Sequence, residues 1–133
     1  MSGFAELLHD AGFTVKGSDA NRSKITEHLQ SLGVEVLYGQ KSNNITSDID
    51  FVVYTAAIHP DNPEFRAAKE MGLPMMERAE MVGQVMKNYT NAIGVSGTHG
   101  KTTTTSMLTH IFLAAKKDPT ISVGGILDAI HGN

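Results

Sequence analysis

No stretch of this chain restricts its architecture as strongly as residues 94–103, which read Gly-Val-Ser-Gly-Thr-His-Gly-Lys-Thr-Thr. A short apolar run at 91–95 leads into them, and an amphipathic segment at 104–115 follows. Strand, glycine-rich turn, lysine, hydroxyl and helix, in that order, is the layout of a phosphate-binding loop. Glycines let successive backbone N–H groups converge on phosphate oxygens, and the open N–H groups and positive dipole end of the helix add to the attraction. In such a loop Lys101 reaches the β/γ-phosphates and the Thr102 hydroxyl ligates Mg²⁺. The strict G-x-x-x-x-G-K-[ST] spacing asks for glycine at position 95, where this chain has Val95 between Gly94 and Gly97. Thr102, Thr103, Thr104 and Thr105 put four β-branched residues on the first turn of an expected helix, against propensity. A local rule broken at a helix start marks a functional site. The plainer reading is a polar, well-capped helix start with no ligand.

The rest of the chain decides which elements surround that loop. At 133 residues it holds one domain or one and a fraction, with 41% hydrophobic residues. The formal charge of −3 is spread among interspersed acids and bases, so neither nucleic acid nor an anionic membrane is an expected partner. With no cysteine there is no disulfide, thiolate metal site or thiol nucleophile. Residues 1–10 lack a basic stretch followed by a continuous apolar run, no stretch approaches the length of a membrane helix, and a soluble cytoplasmic protein is expected.

In chain order, Phe4, Leu7, Leu8 and Ala11 fall at helical spacing before Gly12. A strand is expected at 13–16, leading into Gly17, Ser18 and Asp19. Ile25, Leu29 and Leu32 mark a second helix with Ser23 as its N-cap and Gly33 as its stop. A strand at 34–38 precedes a polar loop at 39–48. The apolar run at 51–55 reads as a parallel strand covered on both faces. Asn62 and Pro63 open a third helix as cap and first residue, ending at Met71 and Gly72. A short strand at 73–76, a helix carrying Met81, Val82, Val85 and Met86, and a polar linker at 87–90 come next. Beyond the loop strand and loop helix, a strand is expected at 120–123. This alternation means α/β with a mainly parallel sheet.

The first piece begins with a helix and then a strand ending at Asp19. A doubly wound nucleotide-binding fold instead begins with a strand and a glycine-rich turn, and an acidic residue closing its second strand hydrogen-bonds a ribose. The expected fold is therefore a Rossmann-like N-terminal domain lacking its first strand, at 1–88, with Ser2 and Gly3 as the surviving edge of the glycine loop. The start of a P-loop α/β ATP-binding domain follows at 89–133, without the strand that carries the second Mg²⁺ carboxylate. Asp19 is equally readable as a turn or capping carboxylate before Ser23. Both ends read as cut, and the chain as a segment of a larger enzyme.

Gly97, Thr98, His99, Gly100, Lys101, Thr102 and Thr103 resemble the ATP loop of the Mur ligases. Gly17-Ser18-Asp19, the helix start at 23–26, Ala56-Ala57-Ile58 with Asn62-Pro63, the Arg78-Ala79-Glu80-Met81 block and Gly124-Gly125-Ile126 extend the likeness over essentially the whole chain. The resemblance implies ATP-dependent amide-bond formation in peptidoglycan assembly, with L-alanine joined to the carboxylate of UDP-N-acetylmuramate through an acyl phosphate. Its alternative is ligation of a recycled tripeptide. It further implies that Gly97, Thr98, His99, Gly100, Lys101, Thr102 and Thr103 bind ATP, that Lys101 is catalytic, and that Thr102 holds Mg²⁺. Ser2, Gly3, Ser18, Asp19, Ala57 and Asn62 would face the uridine nucleotide. The later metal carboxylates, the remainder of the central domain and the alanine-binding C-terminal domain lie outside this chain, so the segment alone is expected to be inactive. None of the six histidines forms an i, i+4 pair, and no zinc site is expected. Two other classes remain open: a small kinase or NTPase, and a non-catalytic nucleotide-binding module.

Overall fold

The computed structural model describes residues 1–123. Its elements run α1 (Ser2–Asp10), β1 (Lys16–Asp19), α2 (Lys24–Ser31), β2 (Glu35–Tyr38), a 3₁₀ turn (Ser42–Asn44), β3 (Val52–Tyr54), α3 (Pro63–Glu70), β4 (Met75–Glu77), α4 (Arg78–Met86) and α5 (Lys101–Ala114). The expected α/β alternation is present and all described strand pairing is parallel. In one two-stranded sheet β1 lies beside β2, with Lys16 opposite Glu35 and Asp19 opposite Tyr38. In the other β3 lies beside β4, with Val52 opposite Met75 and Tyr54 opposite Glu77. The chain divides into two compact units. One holds Met1 and Ala5–Ala92; the other holds Ser2–Phe4 and the chain from Ile93 onward.

In the first unit local chemistry sets the helix boundaries. Ser23 Oγ accepts from the Thr26 N–H at 3.2 Å while the Ser23 N–H donates to Thr26 Oγ1 at 2.9 Å, a reciprocal capping box that starts α2. Asn62 Oδ1 accepts from the N–H groups of Glu64 (2.9 Å) and Phe65 (3.1 Å), and Pro63 supplies the first helical residue of α3. Leu29 from α2 then meets Val34 and Val36 from the β2 side in a small buried cluster, against which Ala5 and Val15 pack. Tyr54 and Phe65 meet edge to face, centroids 5.1 Å apart, and tie β3 to α3. Among the described residues no large side chain is completely buried, so the interior is thin.

Several expected boundaries shift. The first strand lies at Lys16–Asp19 rather than 13–16, and Phe13 is 61% exposed. Register decides this: the residues that find partners are those opposite β2, whatever their apolar content. β4 likewise lies at Met75–Glu77 rather than 73–76: Pro74 accepts from the Val52 N–H through its carbonyl but has no N–H of its own to give the ladder. The run at 51–55 forms a strand, but Val52, Val53 and Tyr54 are only half-buried and Phe51 is exposed, against the expectation of cover on both faces.

The second unit departs further. Residues 91–95 form no strand, and neither do 120–123. A strand exists only as a hydrogen-bonded ladder, and neither run belongs to a ladder among the described residues. The loop helix forms as expected, with Thr102–Thr105 in its first turn, and runs Lys101–Ala114. The Gly124-Gly125-Ile126 match and His131 lie outside the described residues. No helix among the described residues is long and apolar enough to cross a membrane.

Candidate functional site

Two places collect the residues singled out in the sequence, one in each unit. In the second unit Gly97 and Gly100 shape the turn before α5. Gly100 occupies the helix N-cap at φ +77°, in the left-handed region that a side chain disfavours. Gly97 is at φ +152°, where an added Cβ would stand 3.4 Å from the His99 carbonyl oxygen. No side chain caps α5. The plain reading of a well-capped, ligand-free helix start therefore lacks its cap. An anion is the natural complement to N–H groups exposed in this way.

Lys101 is the first residue of α5, and its ammonium folds back over the turn. Nζ donates to the Gly97 carbonyl at 2.6 Å and to the Thr98 carbonyl at 3.3 Å. An ammonium has three N–H donors, so one stays available to a phosphate oxygen while the other two hold the loop shut around the charge. Thr98, His99, Lys101, Thr102 and Thr103 are all exposed. Deeper in the helix, the buried Thr109 hydroxyl donates to the Thr105 carbonyl at 2.9 Å, which satisfies it internally. A Mg²⁺ ion would find the Thr102 hydroxyl here, but no cluster of three or more metal-binding side chains exists among the described residues.

In the first unit, segments that follow the carboxyl ends of β1, β2 and β3 share a network of polar side chains, at the end of the strands where open α/β sheets bind ligands. Ser18 and Asp19 end β1 and are exposed. Ser18 Oγ donates to Glu64 Oε2 at 2.6 Å. Asn44, in the 3₁₀ turn, donates through Nδ2 to Glu64 Oε1 at 2.6 Å and to the Gly39 carbonyl at 2.9 Å. Asn62 donates through Nδ2 to Gln40 Oε1. Asp19 Oδ1 accepts from the Asn21 N–H at 3.0 Å, so this carboxylate does hold the turn before α2. Ala57 is exposed in the turn after β3.

Of the residues expected to face a nucleotide, the structure thus joins Ser18 and Asn62 into one network through the start of α3. Ser2 and Gly3 open α1 and group with the second unit. Sequence reasoning missed Gln40, Asn44 and Glu64. Gln40 and Asn44 sat unmarked in a loop read only as polar, and Glu64 in a helix start read only for its cap. The available signal was position: both segments follow a parallel strand at its carboxyl end. At the opposite ends of β1 and β2 lies a surface concavity of about 450 Å³ beside His9, Phe13, Lys16 and Glu35. There Lys16 pairs with Asp48 at 2.8 Å and Glu35 at 3.8 Å, which occupies the charges without aiming them at a ligand.

The model of the Mur ligase family, catalytic domain, matches residues 1–90, and this chain belongs to that family. The match stops short of the turn at 97–100. Over all 133 residues the chain is 62% identical to the UDP-N-acetylmuramate--L-alanine ligase of Agathobacter rectalis, and equally to that of Lachnospira eligens. It spans 29% of the length of each of these relatives. Among solved structures, the UDP-N-acetylmuramate-alanine ligase of Thermotoga maritima matches all of this chain over 31% of its own, with a TM-score of 0.93 and 34% identity. The UDP-N-acetylmuramate:L-alanyl-gamma-D-glutamyl-meso-diaminopimelate ligase of Neisseria meningitides matches 86% of this chain over 36% of its own, with a TM-score of 0.79 and 30% identity.

Proposed function

We propose that this chain is the nucleotide-binding segment of an ATP-dependent cytoplasmic ligase that joins L-alanine to the carboxylate of UDP-N-acetylmuramate. The observation that carries this reading is the 62% identity to UDP-N-acetylmuramate--L-alanine ligases over all 133 residues. The tripeptide-ligase structure is less similar, at 30% over 86% of the chain. In the proposed reaction a carboxylate oxygen of the muramate attacks the γ-phosphorus of ATP and ADP departs. The alanine nitrogen then attacks the acyl carbon and inorganic phosphate leaves. Phosphorylation converts a poor leaving oxygen into a good one.

Under this reading residues 97–103 bind ATP. Backbone N–H groups at the start of α5 orient its phosphates, and the Lys101 ammonium neutralises charge as the phosphoryl group moves. Mg²⁺ would lend further positive charge to the phosphate oxygens, with Thr102 as the ligand this segment offers. Ser18, Asp19, Ala57 and Asn62, together with Ser2 and Gly3, bind the uridine nucleotide. The domain reading is Rossmann-like at 1–88, followed at 89–133 by the start of the ATP-binding domain. Two parallel pairs with no ladder between β1 and β3 support it. A first strand inserted between them would give the order β2, β1, the added strand, β3, β4, which is the arrangement of a doubly wound sheet.

The test is phosphate release by the ligase that carries this segment. Turnover is expected with ATP, UDP-N-acetylmuramate and L-alanine. Release that requires a free tripeptide in place of L-alanine would move the assignment to the recycling reaction.

A further inference from the structure

Glu64 belongs to no expected binding motif, yet it receives two hydrogen bonds from residues far away in sequence. Ser18 lies at the end of β1 and Asn44 in the 3₁₀ turn after β2, and their donors reach the two carboxylate oxygens at 2.6 Å each. A carboxylate in the first turn of a helix is ordinary, since it complements the helix dipole. Gathering two other strand ends onto it goes beyond that role.

The donor count fixes the polarity of the site. Asn44 Nδ2 can only donate, and both its hydrogens are engaged, by Glu64 and by the Gly39 carbonyl. An ionised carboxylate can only accept, so the Ser18 hydroxyl spends its single hydrogen on Glu64. What Ser18 Oγ then offers to a ligand is lone pairs. It can accept from a ligand and cannot donate to one. Phosphate oxygens carry no hydrogen for such a group, whereas ribose hydroxyls do.

Resting on the proposed UDP-N-acetylmuramate reading, we infer that Glu64 is a positioning residue that locks Ser18 Oγ as a hydrogen-bond acceptor, so that the end of β1 takes a ribose hydroxyl and not a phosphate of the substrate nucleotide. Glu64 acts through Ser18 and touches no substrate. Gln at this position keeps the shape but presents an N–H₂ to one of its two donors, which turns the Ser18 hydrogen outward or breaks the bond to Asn44.

The experiment measures steady-state kinetics of the complete ligase with UDP-N-acetylmuramate varied, for the wild type, S18A, E64Q and the double variant. E64Q and S18A are each expected to raise KM for UDP-N-acetylmuramate about tenfold, leaving kcat and KM for ATP within about twofold. The double variant is expected to be no worse than S18A, because both changes break one interaction. A tenfold rise in S18A with none in E64Q, or additive losses in the double variant, overturns the role of Glu64 alone. An unchanged KM in S18A overturns the placement of the nucleotide at Ser18 as well. Should E64Q fail to fold, competition of the wild type with UDP, 2′-deoxy-UDP and 3′-deoxy-UDP decides the matter. One deoxy analogue is expected to inhibit about tenfold more weakly than UDP, and equal inhibition by all three overturns the acceptor assignment.

Discussion

The starts of α3 and α5 answer the same physical problem in opposite ways. Each helix follows a turn, and each begins with backbone N–H groups that the helix cannot itself satisfy. At α3 the chain closes the problem internally: Asn62 Oδ1 takes the N–H groups of Glu64 and Phe65, and Pro63 removes a donor. At α5 the N-cap is Gly100 in the left-handed region, no side chain caps the helix, and Lys101 gathers carbonyls instead of filling the space above the N–H groups. A capped start holds structure in place, and the uncapped one, beside the Lys101 cation, is where the proposed ATP loop would take a phosphate. The contrast also explains why Asn62, expected to face the nucleotide, spends its carbonyl oxygen on its own helix and its amide on Gln40.

Three variants of the complete ligase test this contrast. Lys101→Ala should bring the largest change, a fall in kcat on the order of a thousandfold, because it removes the charge proposed to meet the transferring phosphoryl group. Retained phosphate release would end the loop's proposed role. Gly100→Ala comes next. Its Cβ would meet nothing within 4 Å, so the penalty is torsional, about 1–2 kcal/mol in urea unfolding, with weaker ATP binding as the turn shifts. Asn62→Ala should cost about 1 kcal/mol of stability by uncapping α3, with no change in KM for ATP. An ATP effect as large as that of Gly100→Ala would erase the distinction between the two helix starts.

The smallest effect is one of pH, away from both helix starts. Lys16 beside Asp48 holds its carboxyl below the usual value of 3.8, at about 2. The folded state therefore binds that proton less readily than the unfolded chain. Stabilisation is complete above about pH 4 and is lost as pH falls through 2. The pair is largely solvent-exposed, so the contribution is small. Asp48→Asn should lower the melting temperature slightly at neutral pH and converge with the wild type near pH 2, which flattens the acid end of the profile. An equal loss of stability at pH 7 and pH 2 would mean that Asp48 acts by something other than its charge.

Where a signal was local, reading it in sequence was enough. The Ser23 box, the Asn62-Pro63 start and the glycine-rich turn before Lys101 are contained within a few residues, and the structure has each of them. The alternation that implies parallel pairing is similarly written in the order of elements. The strand boundaries were not legible, because apolar content at 13–16 and 91–95 cannot say which residues find ladder partners. Nor was Glu64 legible as a junction. Its partners lie 20 and 46 residues away, and no helix-start pattern contains them.

Two kinds of determinant thus divide this protein. Sequence alone determined the α/β class, the helix caps, the turn that leaves α5 open and the family resemblance, because propensity, capping and left-handed glycine geometry act within one turn of chain. Only tertiary structure decided the register of β1 on β2, the thin core around Leu29, Val34 and Val36, and the polarity of Ser18. Those depend on which distant groups meet, and a hydroxyl is confined to accepting only when another group has taken its hydrogen.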